Sequence, residues 1–147
     1  MINAHEPIQQ FFSAYESRFN DAINGKEDID GTVNSFETCF LEASPAGINC
    51  GKNDESLREA IPKGNAYYKS IGTKSMKISK LDITKLDDLH YMVKVYWDSL
   101  YEKKDKKMIS IGFDVIYFLR AKENEWKIFL YITGDEQKVL KENGLIE

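Results

Sequence analysis

The hydrophobic pattern of this chain changes period once, near residues 72–74, and that change limits the folds open to it. Before it, apolar residues recur at steps of three and four, the spacing of one helix face; after it they alternate, the spacing of a strand. Ile8, Phe11, Phe12, Tyr15, Phe19 and Ile23 form one stripe and predict a helix over residues 7–23, with Pro7 suited to the first turn and Gly25 to the stop. Ile29, Val33, Phe36 and Phe40 predict a second helix over residues 29–40, with Glu27, Asp28 and Asp30 at its positive end. Cys39 then falls on an apolar helix face beside Phe36 and Phe40. Ser44-Pro45-Ala46-Gly47 breaks the pattern, and residues 40–43 and 48–50 read as a short hairpin. A third helix is expected over residues 54–71, where Pro62 either kinks the helix or marks a start just before it.

The second half reads as a meander. Met76 and Ile78 are followed by Leu81 and Ile83 in the opposite parity, which predicts a bulge near Ser79 and Lys80. Tyr91, Val93, Val95, Trp97, Ser99 and Tyr101 mark one strand face, and Ile109, Ile111, Phe113, Val115, Tyr117 and Leu119 another. Trp126, Ile128, Leu130 and Ile132 mark a last strand after a turn at Glu123-Asn124-Glu125. Residues 135–142 close the chain as a short helix capped by Gly144. Helices first and strands second give an α+β plan: one domain over residues 1–147, a strongly curved antiparallel sheet packed on three N-terminal helices, with a short C-terminal helix.

Composition narrows the function classes. At 147 residues the chain supports one core without help from disulfides or metals. Its net charge is −4, and the one basic run, Lys103-Lys104-Asp105-Lys106-Lys107, sits where a hairpin tip is expected, so no concentrated basic face for nucleic acid is predicted. The two cysteines, Cys39 and Cys50, lack a CxxC spacing or a neighbouring histidine and read as reduced structural residues. Residues 1–7 carry no basic and apolar leader, and no apolar run reaches the ~20 residues of a membrane span. A cytoplasmic protein without metal or cofactor is the expectation.

The order of elements, the Phe-rich first helix and the closing strands Gly112-Phe113-Asp114-Val115-Ile116-Tyr117-Phe118-Leu119 and Trp126-Lys127-Ile128-Phe129-Leu130-Tyr131 resemble the nuclear transport factor 2-like superfamily. That group includes SnoaL-like polyketide cyclases and ketosteroid isomerases. The resemblance implies a cone-shaped fold, usually dimeric, with a pocket between sheet and helices. It does not fix a function, because this fold carries enzymes, binding modules and assembly domains alike.

Candidate residues follow from both readings. The resemblance to ketosteroid isomerase implies that Tyr15 and Asp114 serve as the two donors to an oxyanion. That chemistry also needs a base in the strand after the second helix, where this chain offers Ile48-Asn49-Cys50 and no carboxylate. Strand parity turns Asp114 outward unless a bulge intervenes. His90 becomes a base only if it pairs with Asp87, Asp88 or Asp98. The aromatic set Tyr15, Phe19, Phe36, Tyr68, Trp97, Tyr101, Tyr117 and Trp126 fills a core or lines a pocket; Tyr15, Trp97, Tyr101 and Tyr117 are the expected pocket residues, each with an apolar body and a polar tip. Met92, Tyr96, Ile116, Phe118, Phe129 and Tyr131 are expected on the outer sheet face, where they predict a homodimer. Binding of a small apolar molecule is the leading function, a SnoaL-like or isomerase-like enzyme acting on a ketone or polyketide-type substrate the second, and a structural dimerisation domain for a protein partner the third.

Overall fold

The computed structural model describes residues 4–147. Residues 1–3, part of the segment expected to carry no leader, lie outside the described residues. Helix α1 (His5–Ile23) is followed by α2 (Ile29–Asn34), the hairpin β1 (Phe36–Ser44) and β2 (Gly47–Lys52), and α3 (Glu55–Ser70). The meander is β3 (Thr73–Lys85), β4 (His90–Glu102), β5 (Met108–Lys122) and β6 (Glu125–Ile132), and α4 (Glu136–Glu142) closes the order. All six strands form one sheet in the order β2-β1-β6-β5-β4-β3. Its pairs are antiparallel except β1 with β6, which run parallel, a departure from the all-antiparallel expectation. No helix among the described residues is long and apolar enough to cross a membrane.

The second helix is shorter than its apolar spacing predicts. Asp28 caps α2 by accepting from the Gly31 amide at 3.0 Å, and the Ser35 hydroxyl returns to the Gly31 carbonyl, after which the chain extends. Phe36 and Phe40 lie four residues apart, a spacing that puts two side chains on one face of a helix or of a strand alike. Here they are strand residues, both buried, with ring centroids 4.8 Å apart. Cys39 alternates with them and is therefore exposed rather than packed, as is Cys50; both thiols are free. In α3 the cap is Asp54, which accepts from the Ser56 amide at 2.9 Å, so the helix begins well before Pro62 and runs through it.

Strands β4 and β5 pair without a shift from His90 opposite Arg120 to Glu102 opposite Met108. Their neighbours do shift. In β3 the register slips at Lys74 and, as the parity predicts, at Ser79; in β6 it slips at Phe129. Each extra residue bends its strand and deepens the curvature of the sheet. The slip at Phe129 also exchanges the faces of the residues beyond it. Ile128 is fully buried, but Leu130 lies opposite the outward Phe118, and Tyr131 lies opposite the inward Tyr117. Tyr131 is thus an inner-face residue, packed against Phe36, Phe40 and Tyr117, and not the outer-face residue that simple alternation predicts.

Ile8 and Phe12 of α1 are fully buried against the inner face, with Val93, Val95, Leu119 and Ile128. The helix is also tied to the sheet edge. The Asn20 side chain donates to the Met76 carbonyl at 2.7 Å and accepts from the Met76 amide at 2.8 Å, and Glu16 accepts from the Ile78 amide. A helix side chain thereby occupies backbone groups that an edge strand would leave open. A second cluster (Ile71, Tyr101, Ile111, Leu140 and Leu145) is closed by α4.

Gly72 joins α3 to β3 with φ +91°, and a Cβ there would lie 2.1 Å from the Glu102 carbonyl oxygen. The Gly72 carbonyl in turn accepts from the Glu102 amide at 2.8 Å. Gly72→Ala is therefore expected to cost about 1–3 kcal/mol of unfolding free energy in urea; an unchanged midpoint would mean the connection accommodates a side chain.

Candidate functional site

Between the two apolar clusters the inner face stays open. Members of both border a cavity of about 470 Å³. Each wall follows from the element that carries it. The unbroken alternation of β4 and β5 sends Trp97, Tyr101, Phe113, Val115 and Tyr117 inward, and α1 faces them with Tyr15 and Phe19. Tyr68 enters from α3, held edge-on to Phe19 at 5.4 Å. Tyr131 enters from β6 because of the bulge before it. Thr133, Gly134, Asp135 and the first turns of α4 form the rest of the wall, with Gly134, Asp135 and Glu136 exposed.

All four residues singled out from sequence, Tyr15, Trp97, Tyr101 and Tyr117, border this cavity. Tyr15 packs with Tyr117 at 5.9 Å and Trp97 at 6.4 Å between ring centroids. Burial pushes the Tyr15 hydroxyl above the ordinary tyrosine range, partly offset by a polar contact from Tyr117 and by the positive charge of Arg18. Burial, and then the neighbouring Tyr15, raises Tyr117 further, while Trp97 acts in the opposite sense. Arg18 lies over the Tyr15 ring at 5.9 Å, donates to the Ser35 hydroxyl at 2.6 Å, and borders a separate, smaller cleft. Asp114 borders the cavity too, yet it is exposed and lies opposite Tyr96, on the parity that faces away from Phe113 and Val115. No bulge interrupts β5 against β4 to turn it inward.

Two carboxylates near the cavity escape the sequence reading. Glu42 accepts from the Tyr131 hydroxyl at 2.7 Å, in the strand pair that also aligns their backbones. Glu136, in the first turn of α4, borders the cavity beside Tyr68. Although Glu136 stays partly open to solvent, the water it does lose raises its proton affinity; the nearby Tyr68 hydroxyl opposes this, and the negative charge of Glu42 adds to it. Burial, then the neighbouring carboxylate, raises both Tyr68 and Tyr131. Glu42 was legible in principle: once Phe40 is a strand residue pointing in, Glu42 points in as well. Glu136 carried no such signal, because an acidic residue in a first helical turn is ordinary dipole chemistry.

The remaining candidates lie elsewhere. His90 does meet Asp87, with Nδ1 2.8 Å from the carboxylate, but its Nε2 faces the Arg120 guanidinium at 2.8 Å and so must accept. The ring packs edge-on to Phe129 on the outer face, away from the cavity. Phe36 and Trp126 fill the core. No group of three or more His, Cys, Asp or Glu residues that could hold a metal ion occurs among the described residues.

The five cavity tyrosines (Tyr15, Tyr68, Tyr101, Tyr117 and Tyr131) all have raised folded-state values. Their unfolded counterparts ionise first, near the ordinary value of about 10. Stability is therefore full below that pH and falls as pH rises above it. An absorbance titration beside circular dichroism should show part of the tyrosine signal appearing only as the fold is lost. Ionisation of all eight tyrosines in a still-folded protein would contradict this burial.

The sequence pattern of a family described as "NTF2-like protein (DUF6841)" matches residues 5–136. No curated protein matches the chain. The fold is similar to the crystal structure of an NTF-2 like protein of unknown function from Shewanella oneidensis MR-1 (18% identity, 90% of this chain and 100% of that one, TM-score 0.66). It is also similar to a ketosteroid isomerase-like protein from Erwinia carotovora atroseptica SCRI1043 (15% identity, 91% and 97%, TM-score 0.65). A third similar structure is an NTF2-like protein with a cystatin-like fold from Novosphingobium aromaticivorans (9% identity, 97% and 88%, TM-score 0.67). At these identities the likeness speaks for the fold alone.

Proposed function

We propose that this chain, which belongs to the NTF2-like family DUF6841, uses its cavity to bind a small, largely apolar molecule. One observation carries the reading: about 470 Å³ of ring-lined space with the half-buried Tyr15 in its wall. That volume lies within the ~300–1,000 Å³ of small-molecule sites, and such sites combine apolar walls with a few placed polar groups. Tyr15 is the polar group best suited to meet an acceptor on the ligand. Native mass spectrometry of freshly purified protein, followed by organic extraction, is expected to recover a bound apolar molecule. Val139→Trp, which fills the space from α4, is expected to lose it. A wild-type protein that carries nothing and takes up no added naphthylmethanol would overturn the reading.

A second reading, SnoaL-like or isomerase-like turnover of a ketone, gains support from Glu136. It is a carboxylate of raised proton affinity bordering the same cavity as Tyr15, which offsets the missing acid at Ile48-Asn49-Cys50. Asp114, exposed and on the outward parity, lends it none.

Assembly is a separate proposal, and it bears on the alternative of a structural dimerisation domain. Met92, Tyr96, Ile116, Phe118 and Phe129 share the outer parity, and the β6 bulge adds Leu130 and Ile132. We propose a homodimer through this face, and two exposed free thiols favour a reducing, cytoplasmic setting. Light scattering at micromolar concentration is expected to give a dimer and Ile116→Lys a monomer; a monomeric wild type would refute it.

A further inference from the structure

We infer that the ligand of the cavity carries a hydroxyl group on its apolar body, and that the Tyr131 oxygen accepts the hydrogen bond this hydroxyl donates. This rests on the cavity being a binding site and goes further by naming the polar group of the ligand and the atom that receives it.

The parallel register of β1 with β6 sets Glu42 beside Tyr131. Across that pair the Tyr131 hydroxyl donates to Glu42 Oε2 at 2.7 Å. A carboxylate accepts and a phenol donates, and a charged acceptor holds the proton more firmly than a neutral one. Neighbouring rings keep the tyrosine in place. It stacks on Phe40 at 6.5 Å and meets Phe36 at 6.1 Å and Tyr117 at 6.2 Å between centroids. With its proton given to Glu42, the phenolic oxygen has only lone pairs left to offer, and the bond to a carboxylate makes them stronger acceptors. No donor among the described residues is hydrogen-bonded to that oxygen.

Tyr131 borders the cavity and Glu42 does not, so a ligand meets the phenol rather than the carboxylate behind it. The charged residues that do border the space, Asp114, Asp135 and Glu136, are all exposed, and no Lys, Arg or His of the described chain joins them. An anionic ligand therefore finds no cation in the wall. A ketone or ether brings only lone pairs, which cannot pair with those of Tyr131. To serve them the phenol would have to withdraw its proton from Glu42, a carboxylate that no ion pair among the described residues engages. A hydroxyl brings the missing proton and leaves the bond between Tyr131 and Glu42 intact.

Isothermal titration at neutral pH with naphthylmethanol and methoxynaphthalene tests this, since the two are isomers and only the first donates. Apolar transfer alone favours methoxynaphthalene, whose oxygen loses less hydration. The alcohol is nevertheless expected to bind the wild type about fivefold more tightly. Tyr131→Phe should remove this preference, and binding of either isomer shows that the variant is folded. Glu42→Gln lifts the charge that holds the phenol proton, so Tyr131 can turn its hydroxyl to the ether and methoxynaphthalene should bind more tightly than to the wild type. No such rise would overturn the role given to Glu42. If the wild type binds the isomers alike or prefers the ether, the hydroxyl inference is wrong and the cavity reading stands. A preference that survives Tyr131→Phe overturns the assignment to Tyr131. If neither isomer binds, the cavity reading itself fails, and the inference with it.

Discussion

The structure depends on the unshifted pairing of β4 with β5. Because register runs from His90–Arg120 to Glu102–Met108 without a break, the face of every side chain on both strands is fixed together. Trp97, Tyr101, Val115 and Tyr117 cannot turn outward singly; a one-residue slip would expose all of them and bury Lys94, Asp98 and Asp114 instead. The strands on either side carry the irregularities. Bulges at Lys74, Ser79 and Phe129 bend the sheet around a straight centre, and that curvature gives α1 a concave face to enter.

Why the interior remains open is a question of what α1 and α4 can reach. Ile8 and Phe12 fill one end of the concave face, and Asn20 and Glu16 fix the helix to β3, so α1 cannot move to close the rest. Leu140 and Leu145 anchor α4 at the other end. The residues between are large rings, several with hydroxyls, and closing the walls on one another would bury those hydroxyls without partners. Each such loss costs about as much as burying a small apolar side chain gains. Tyr131 escapes the penalty by donating to Glu42, which is why a carboxylate stands beside an otherwise apolar space.

The sequence made the long elements legible because their periods are long and regular: α1, the meander and the Ser79 bulge follow from spacing alone. It misled where one spacing satisfies two periods. Phe36 and Phe40 fit a helix and a strand equally, and taking them as helical moved Cys39 into a core it does not enter and hid the inward Glu42. The Phe129 bulge could not be seen from alternation either. In residues 126–132 Phe129 and Tyr131 are as apolar as Leu130 and Ile132, so the pattern cannot say which pair faces in. Ser79 was visible because the lysines beside it are polar; Phe129 has no polar neighbour after it to mark the change of face.

Those two ambiguities fell on the residues that give the site its chemistry. Elements that pack the core repeat a pattern, and repetition is what a single sequence reveals. The groups that differentiate this cavity from others on the same fold are single departures: a bulge that turns Tyr131 inward, a strand glutamate beneath it, and a glutamate in the first turn of α4. Fold likeness does not transfer such departures between chains at identities of 9–18%. The scaffold therefore fixes where the cavity lies, through the walls of β4, β5 and α1. What distinguishes its lining rests on the few side chains that break the scaffold's regularity, and in this chain those are Tyr131 with the Glu42 beneath it and Glu136 at the rim.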